Sequence, residues 1–182
     1  MSTYIPTVIN DPLAYFLTWH TYGTWLHGDP AGSVDAAHNR YGSSHIGDHP
    51  KRLERAKSRM NDEPFTLTTE AREAVETIIA KHCEHRKWRL HASSVRSNHV
   101  HVVVSAAETA PEEVVRQLKQ WGTRALRERG FAGSNQRVWA DHASTRYLFN
   151  EEAVVAATKY TIEGQDRSAG HRRAGRDGST PA

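Results

Sequence analysis

Two runs of strand-forming residues, Trp88–Val95 and His99–Ser105, are separated only by Arg96, Ser97 and Asn98. Turn residues between two alternating runs predict an antiparallel hairpin. A hairpin alone is at best marginal in water, so one of its faces needs a cover. The flanking sequence offers two helices for this. Upstream, Thr68 is a predicted N-cap with Glu70 and Glu73 close behind it, and Val75, Ile78, Ile79 and His82 recur at helical spacing over Thr69–Arg86. Downstream, Pro111-Glu112-Glu113 opens a helix that runs to about Arg129 and stops at Gly130. Val114, Val115, Leu118, Trp121 and Ala125 form its predicted buried side.

Tyr15–Trp19 is aromatic and β-rich and reads as a first core strand. Val138-Trp139 and Thr145–Tyr147 read as short strand material, and Asn150 caps a last helix ending near Glu163 and Gly164. The order β, long loop, α, β, β, α, short β, α predicts an α+β fold: a ferredoxin-like antiparallel sheet with helices on one face. The other face is expected to be open, and the C-terminal helix carries Tyr160. A length of 182 residues suits one domain, expected over 12–165. A polar, Gly- and His-rich loop insertion is expected at 23–64, with a basic helix in its 49–60 portion. The tail, 166–182, holds four Arg against two Asp and is expected to be disordered.

The single cysteine, Cys83, excludes an internal disulfide framework and a Cys-cluster zinc site. No apolar run approaches the roughly 20 residues that span a bilayer, and the N-terminus lacks a signal-like core. The expectation is a soluble cytoplasmic protein with no membrane partner. Net charge is +3, most of it in the tail, so the body is no general polycation. Nucleic-acid contact by the body would need a local stripe.

Three features can carry chemistry. In Asn98-His99-Val100-His101-Val102-Val103-Val104, strand alternation puts His99 and His101 on one face and Val100, Val102 and Val104 on the other. Two imidazoles side by side suit a divalent metal; a surface pair on a half-exposed strand fits the spacing equally well. In the helix from Pro111, Arg116, Lys119, Gln120, Thr123 and Arg127 form a polar stripe. Such a stripe tracks phosphates or is simply a solvated face. Tyr160 has Ala156 and Ala157 one turn back, which leaves its phenol room, and Gln165 follows just past the helix. A tyrosine packing its ring and bonding its hydroxyl is the competing reading.

These residues carry a resemblance. Asn98-His99-Val100-His101 opening a valine strand resembles the metal-binding strand of the HUH single-strand endonucleases. The order around it resembles their single-tyrosine branch, the insertion-sequence transposases and the REP-associated tyrosine transposases, from about Tyr15 to Gln165. Tyr15-Phe-Leu-Thr-Trp19 is similar to the opening strand of that family, and Leu118–Leu126 to its helix after the metal strand. Val138-Trp-Ala with Arg146-Tyr-Leu is similar to its C-terminal module. The place of the nucleophilic tyrosine in the last helix is taken by Tyr160. The family often has a metal-ligating Asn or Gln four residues after the tyrosine; here that position is Gly164, with Gln165 one further and Glu163 one nearer.

The resemblance implies a metal-dependent endonuclease and strand transferase acting on single-stranded or hairpin DNA through a 5′-phosphotyrosine. It implies Tyr160 as nucleophile, His99, His101 and Gln165 (or Glu163) as ligands to Mg²⁺ or Mn²⁺, and in some relatives a homodimer. Arg116, Lys119 and Arg127 are the DNA contacts expected from the helix stripe, and Tyr22, Trp25 and Tyr41 are candidates for stacking or, equally, for packing within the loop. The alternatives are a non-catalytic single-stranded nucleic-acid-binding module on the same sheet and a metal-dependent phosphohydrolase without a covalent intermediate.

Overall fold

The structure is a computed structural model and describes residues 11–24, 54, 55, 58, 60 and 62–163. Its elements are β1 (Ala14–Thr21), α1 (Thr69–His85), β2 (Arg89–Val95), β3 (His99–Ser105), α2 (Pro111–Glu128), β4 (Trp139–Leu148) and α3 (Glu151–Glu163). The strands form one sheet in the order β2-β3-β1-β4, and every neighbouring pair is antiparallel. This is the α+β, ferredoxin-like arrangement that the element order predicted.

Local chemistry explains the elements. Thr68 caps α1, its side chain accepting from the Ala71 amide at 3.2 Å. Pro111 starts α2 where no intrahelical amide donor is needed, beside Glu112 and Glu113 at the positive end of the helix. The hairpin between β2 and β3 closes with the Arg96 amide donating to the His99 carbonyl at 2.8 Å. The chain that leaves β1 at Gly23 rejoins the fold at Phe65, whose amide donates to the Tyr22 carbonyl at 2.9 Å. A Cβ at Gly23 would run into the Met60 Cε, and its φ of +73° is one that glycine adopts freely.

Alternation sorts the sheet into two faces. Leu17 and Trp19 of β1, with Val100, Val102 and Val104 of β3, pack against α1 and α2 and form the main core. Gly122 lets α2 approach Trp139 closely: a Cβ there would lie 3.2 Å from the Trp139 ring. The opposite face, expected to be open, is instead partly covered. The C-terminal helix α3 lies along it, and Val154 and Ala157 close a second cluster over Ala14, Ala92, Val103 and Leu148.

Two local expectations differ from what is observed. The two short C-terminal strands are one ten-residue strand, β4. Trp139 pairs with Thr21 and Ala143 with Trp19, so Ala140, Asp141 and His142 stand against the single residue His20. This bulge interrupts the alternation and hides the continuity of the strand. Trp121, expected on the buried side of α2, is only half-buried. The 25–53 stretch of the insertion and the 164–182 end of the chain lie outside the described residues, as does most of the helix expected at 49–60.

Candidate active site

Both imidazoles of β3 occupy the face that α3 partly covers, with ring centroids 4.9 Å apart. His101 is buried, at 7% exposure, and His99 is half-buried. Thr18 stands directly opposite His101 in β1, and its Oγ1 lies 2.8 Å from His101 Nδ1. Phe16 stacks on the same imidazole, 5.5 Å away at an interplanar angle of 20°. His99 Nδ1 lies 2.7 Å from Asn98 Oδ1. A carboxamide oxygen only accepts, so His99 Nδ1 is the donor in this contact. Metal-ligating histidines are oriented in this way, by a hydrogen bond at the other ring nitrogen.

Burial pushes His101 down to about 3, with His99, His20 and Arg96 adding to the effect. His20, directly opposite His99 in β1, is lowered to about 4 by burial and then by His99 and Lys119. His101 and His20 are therefore neutral at physiological pH, and a neutral imidazole is the state that can donate to a metal. The His99–His101 pair fits two positions of a divalent site. Among the described residues no group of three or more His, Cys, Asp or Glu is arranged to hold a metal ion. Glu163 ends α3 with its carboxylate 3.9 Å from the Lys159 ammonium, and Gln165 lies outside the described residues.

Helix α3 brings a phenol to this face. Asn150 caps the helix, its Oδ1 accepting from the Ala153 amide at 2.8 Å. Val154, Ala157 and Thr161 form the buried stripe, and small side chains let the helix sit close on the sheet. Tyr160 flanks that stripe, 49% exposed, with its ring centroid 6.1 Å from His101 and 6.0 Å from Phe16. Tyr147 is placed differently. It pairs with Tyr15 across β1 and β4 and meets that ring edge-on at 5.6 Å, so it belongs to the α1/α2 face of the sheet.

The pattern of the family described as "Transposase IS200 like" matches residues 58–159, more than half of the chain. The chain belongs to the IS200-like transposase family. No curated protein matches it in sequence. Among solved structures it is similar to a REP-associated tyrosine transposase bound to a REP hairpin, with a TM-score of 0.51 at 14% identity, over 92% of this chain and 74% of that one. A protein of Deinococcus radiodurans assigned to the transposases gives a TM-score of 0.45 at 16% identity, over 91% of this chain and 98% of that one.

In this IS200-like transposase the three cations expected on the α2 stripe have separate environments. Arg116 is exposed and pairs with Glu113 at 2.6 Å through two nitrogens. Lys119 donates to the carbonyls of Ala140, Asp141 and His142 at 2.8, 3.3 and 3.3 Å, and so grips the bulge of β4. Its burial lowers the ammonium to about 8. Arg127 donates to the carbonyls of Gly133 and Gln136, each at 3.3 Å. Tyr22 is buried with the Arg137 guanidinium 4.8 Å over its ring; Trp25 and Tyr41 lie outside the described residues. Sequence reasoning passed over Phe16, Thr18 and His20 as members of the site. Their signal was present: they alternate with Leu17 and Trp19 along β1, so they share the non-core face.

Proposed function

We propose that this transposase cuts and rejoins single-stranded DNA through Tyr160, using a divalent metal, Mg²⁺ or Mn²⁺, held by His99, His101 and Gln165. The observation that carries the reading is the approach of the Tyr160 ring to within 6.1 Å of His101 on one face of the sheet. The orientation of His99 by Asn98 and of His101 by Thr18 supports the choice of ligands. When bound, the metal neutralises a non-bridging phosphate oxygen and orients the ester.

The phenol of Tyr160 loses its proton as its oxygen attacks phosphorus. The bond from phosphorus to the 3′-oxygen breaks, and that oxygen takes up a proton as a free 3′-hydroxyl. The product is a 5′-phosphotyrosine on Tyr160, which keeps the ester bond. The 3′-hydroxyl of another strand can attack the phosphotyrosine and release the phenol, which joins the two strands without ATP. The scissile phosphate must reach a phenol lying against the sheet, which favours single-stranded DNA or the unpaired flank of a hairpin over a stacked duplex. The exposed Arg116 is the stripe residue proposed to meet phosphate.

Incubating the protein with a hairpin oligonucleotide and Mn²⁺ tests the reading. Label at the 3′ end should become attached to denatured protein, and label at the 5′ end should not. The adduct should vanish with chelator and in His99→Ala and His101→Ala. Cleavage with neither label attached would favour a non-covalent phosphohydrolase, and binding without cleavage would favour a non-catalytic module.

A further inference from the structure

The helix layer, across the sheet from the His pair, carries a shallow groove that the proposed chemistry does not use. It lies between α1 and α2, is lined by Ile78, Lys81, His82, His85 and Trp121, and has a volume of about 220 Å³. Pockets for drug-sized ligands start at roughly 300 Å³, so this groove suits a single ring system. Its platform is aromatic and held in place. The His82 ring lies 5.5 Å from Trp121 at an angle of 32°, meets the edge of Trp88 at 5.5 Å, and bonds Gln117 Oε1 through Nε2 at 2.9 Å.

Cations stack on the aromatic rings beside it. The Arg124 guanidinium lies 5.2 Å over the Trp121 ring, and Arg86, at the end of α1, lies 5.3 Å over Trp88. Lys81 lines the groove itself. Of the nearby acids, Glu128 is already paired with Arg124 at 2.7 Å. The Arg124 guanidinium occupies one face of the Trp121 indole, and a base stacking there would take its place. An indole platform rimmed by cations is also how single-stranded nucleic acid is gripped without base pairing.

We infer that this groove takes one unpaired base of single-stranded DNA, stacked on Trp121, with Arg124 swinging aside to meet a neighbouring phosphate together with Lys81. The inference rests on the proposed DNA substrate but is independent of the cleavage step. It adds a contact on the layer opposite the tyrosine, which would hold a strand leaving the site.

The test is binding of a fluorescein-labelled oligo-dT and of a hairpin with an oligo-dT flank, read by anisotropy with the full chain. Trp121→Ala should weaken binding roughly five- to a hundredfold, the range for loss of one stacked base. Trp121→Phe, which keeps a π-face, should bind within about threefold of the unmutated protein. Because Trp121 touches His82, the thermal midpoint of each variant is compared, and Lys81→Glu and Arg124→Glu, which leave the Trp121–His82 contact in place, should weaken binding without unfolding. In 2-aminopurine oligonucleotides, quenching on binding should be lost in Trp121→Ala. Equal affinity in a folded Trp121→Ala would overturn the inference, as would displacement of the DNA by poly-glutamate as readily as by oligo-dT. Adduct formation with no effect of Trp121 would leave the cleavage reading standing and remove the groove. Trp121-dependent binding with no adduct would do the reverse.

Discussion

Thr18 decides how His101 is presented. Its hydroxyl sits 2.8 Å from Nδ1, and a metal bound at Nε2 requires the proton on that Nδ1, donated to Thr18. Thr18→Val keeps the shape and removes the acceptor, so Mn²⁺ affinity measured by calorimetry should fall about 10–100-fold. Unchanged affinity would show that Phe16 stacking alone orients the ring. The same burial makes the metal-free fold acid-sensitive. His101 and His20 are depressed to about 3 and about 4. The unfolded chain therefore takes up their protons near pH 6.5 while the folded chain does not. Their stabilising contribution is complete above that pH and is lost as pH falls toward 4 and 3. Near pH 5 stability should therefore fall as pH falls, with a slope of about two protons, read from urea unfolding in chelator. The His pair was legible from six consecutive residues, because alternation is a local property. Alternation also puts Phe16, Thr18 and His20 on the non-core face of β1, but which of them meets the His pair depends on a register with β3 set about eighty residues away.

At the scale of elements, α3 is the device that brings phenol to imidazole, and it does so through small residues. Ala157 is buried against the second cluster. Ala157→Leu would force extra volume between helix and sheet, at a cost of about 1–3 kcal/mol. It should lift Tyr160 away from His101, so adduct formation should fall by at least tenfold while hairpin affinity changes little. Equal losses in both would mean that the helix binds DNA and does not merely carry the tyrosine. Helices α1 and α2 and the hairpin were legible because caps, Pro111 and apolar spacing agree within each segment. Strand β4 reads as two fragments because its bulge breaks the alternation at Ala140–His142, and the group that holds the bulge, the Lys119 ammonium on three carbonyls, comes from another element. Lys119, read as part of a phosphate stripe from its spacing, thus has a task inside the fold that spacing alone does not reveal.

At the scale of the whole molecule, the sheet separates two surfaces: one with His99, His101 and Tyr160, the other with the α1–α2 groove around Trp121. The separation follows from alternation in β1 and β3, and it also separates the two exposed tyrosines of the C-terminal module. Both are about half exposed, Tyr160 at 49% and Tyr147 at 46%, so accessibility does not choose between them. Position separates them: Tyr160 neighbours His101, and Tyr147 lies against Tyr15 on the far face. The most direct measurement is therefore the covalent adduct formed by the unmutated protein, Tyr160→Phe and Tyr147→Phe with one 3′-labelled hairpin in Mn²⁺. Each substitution removes a single oxygen and should leave folding and DNA binding intact. The expected result is an adduct in the unmutated protein and in Tyr147→Phe, and none in Tyr160→Phe. An adduct that survives in Tyr160→Phe and disappears in Tyr147→Phe would contradict the account.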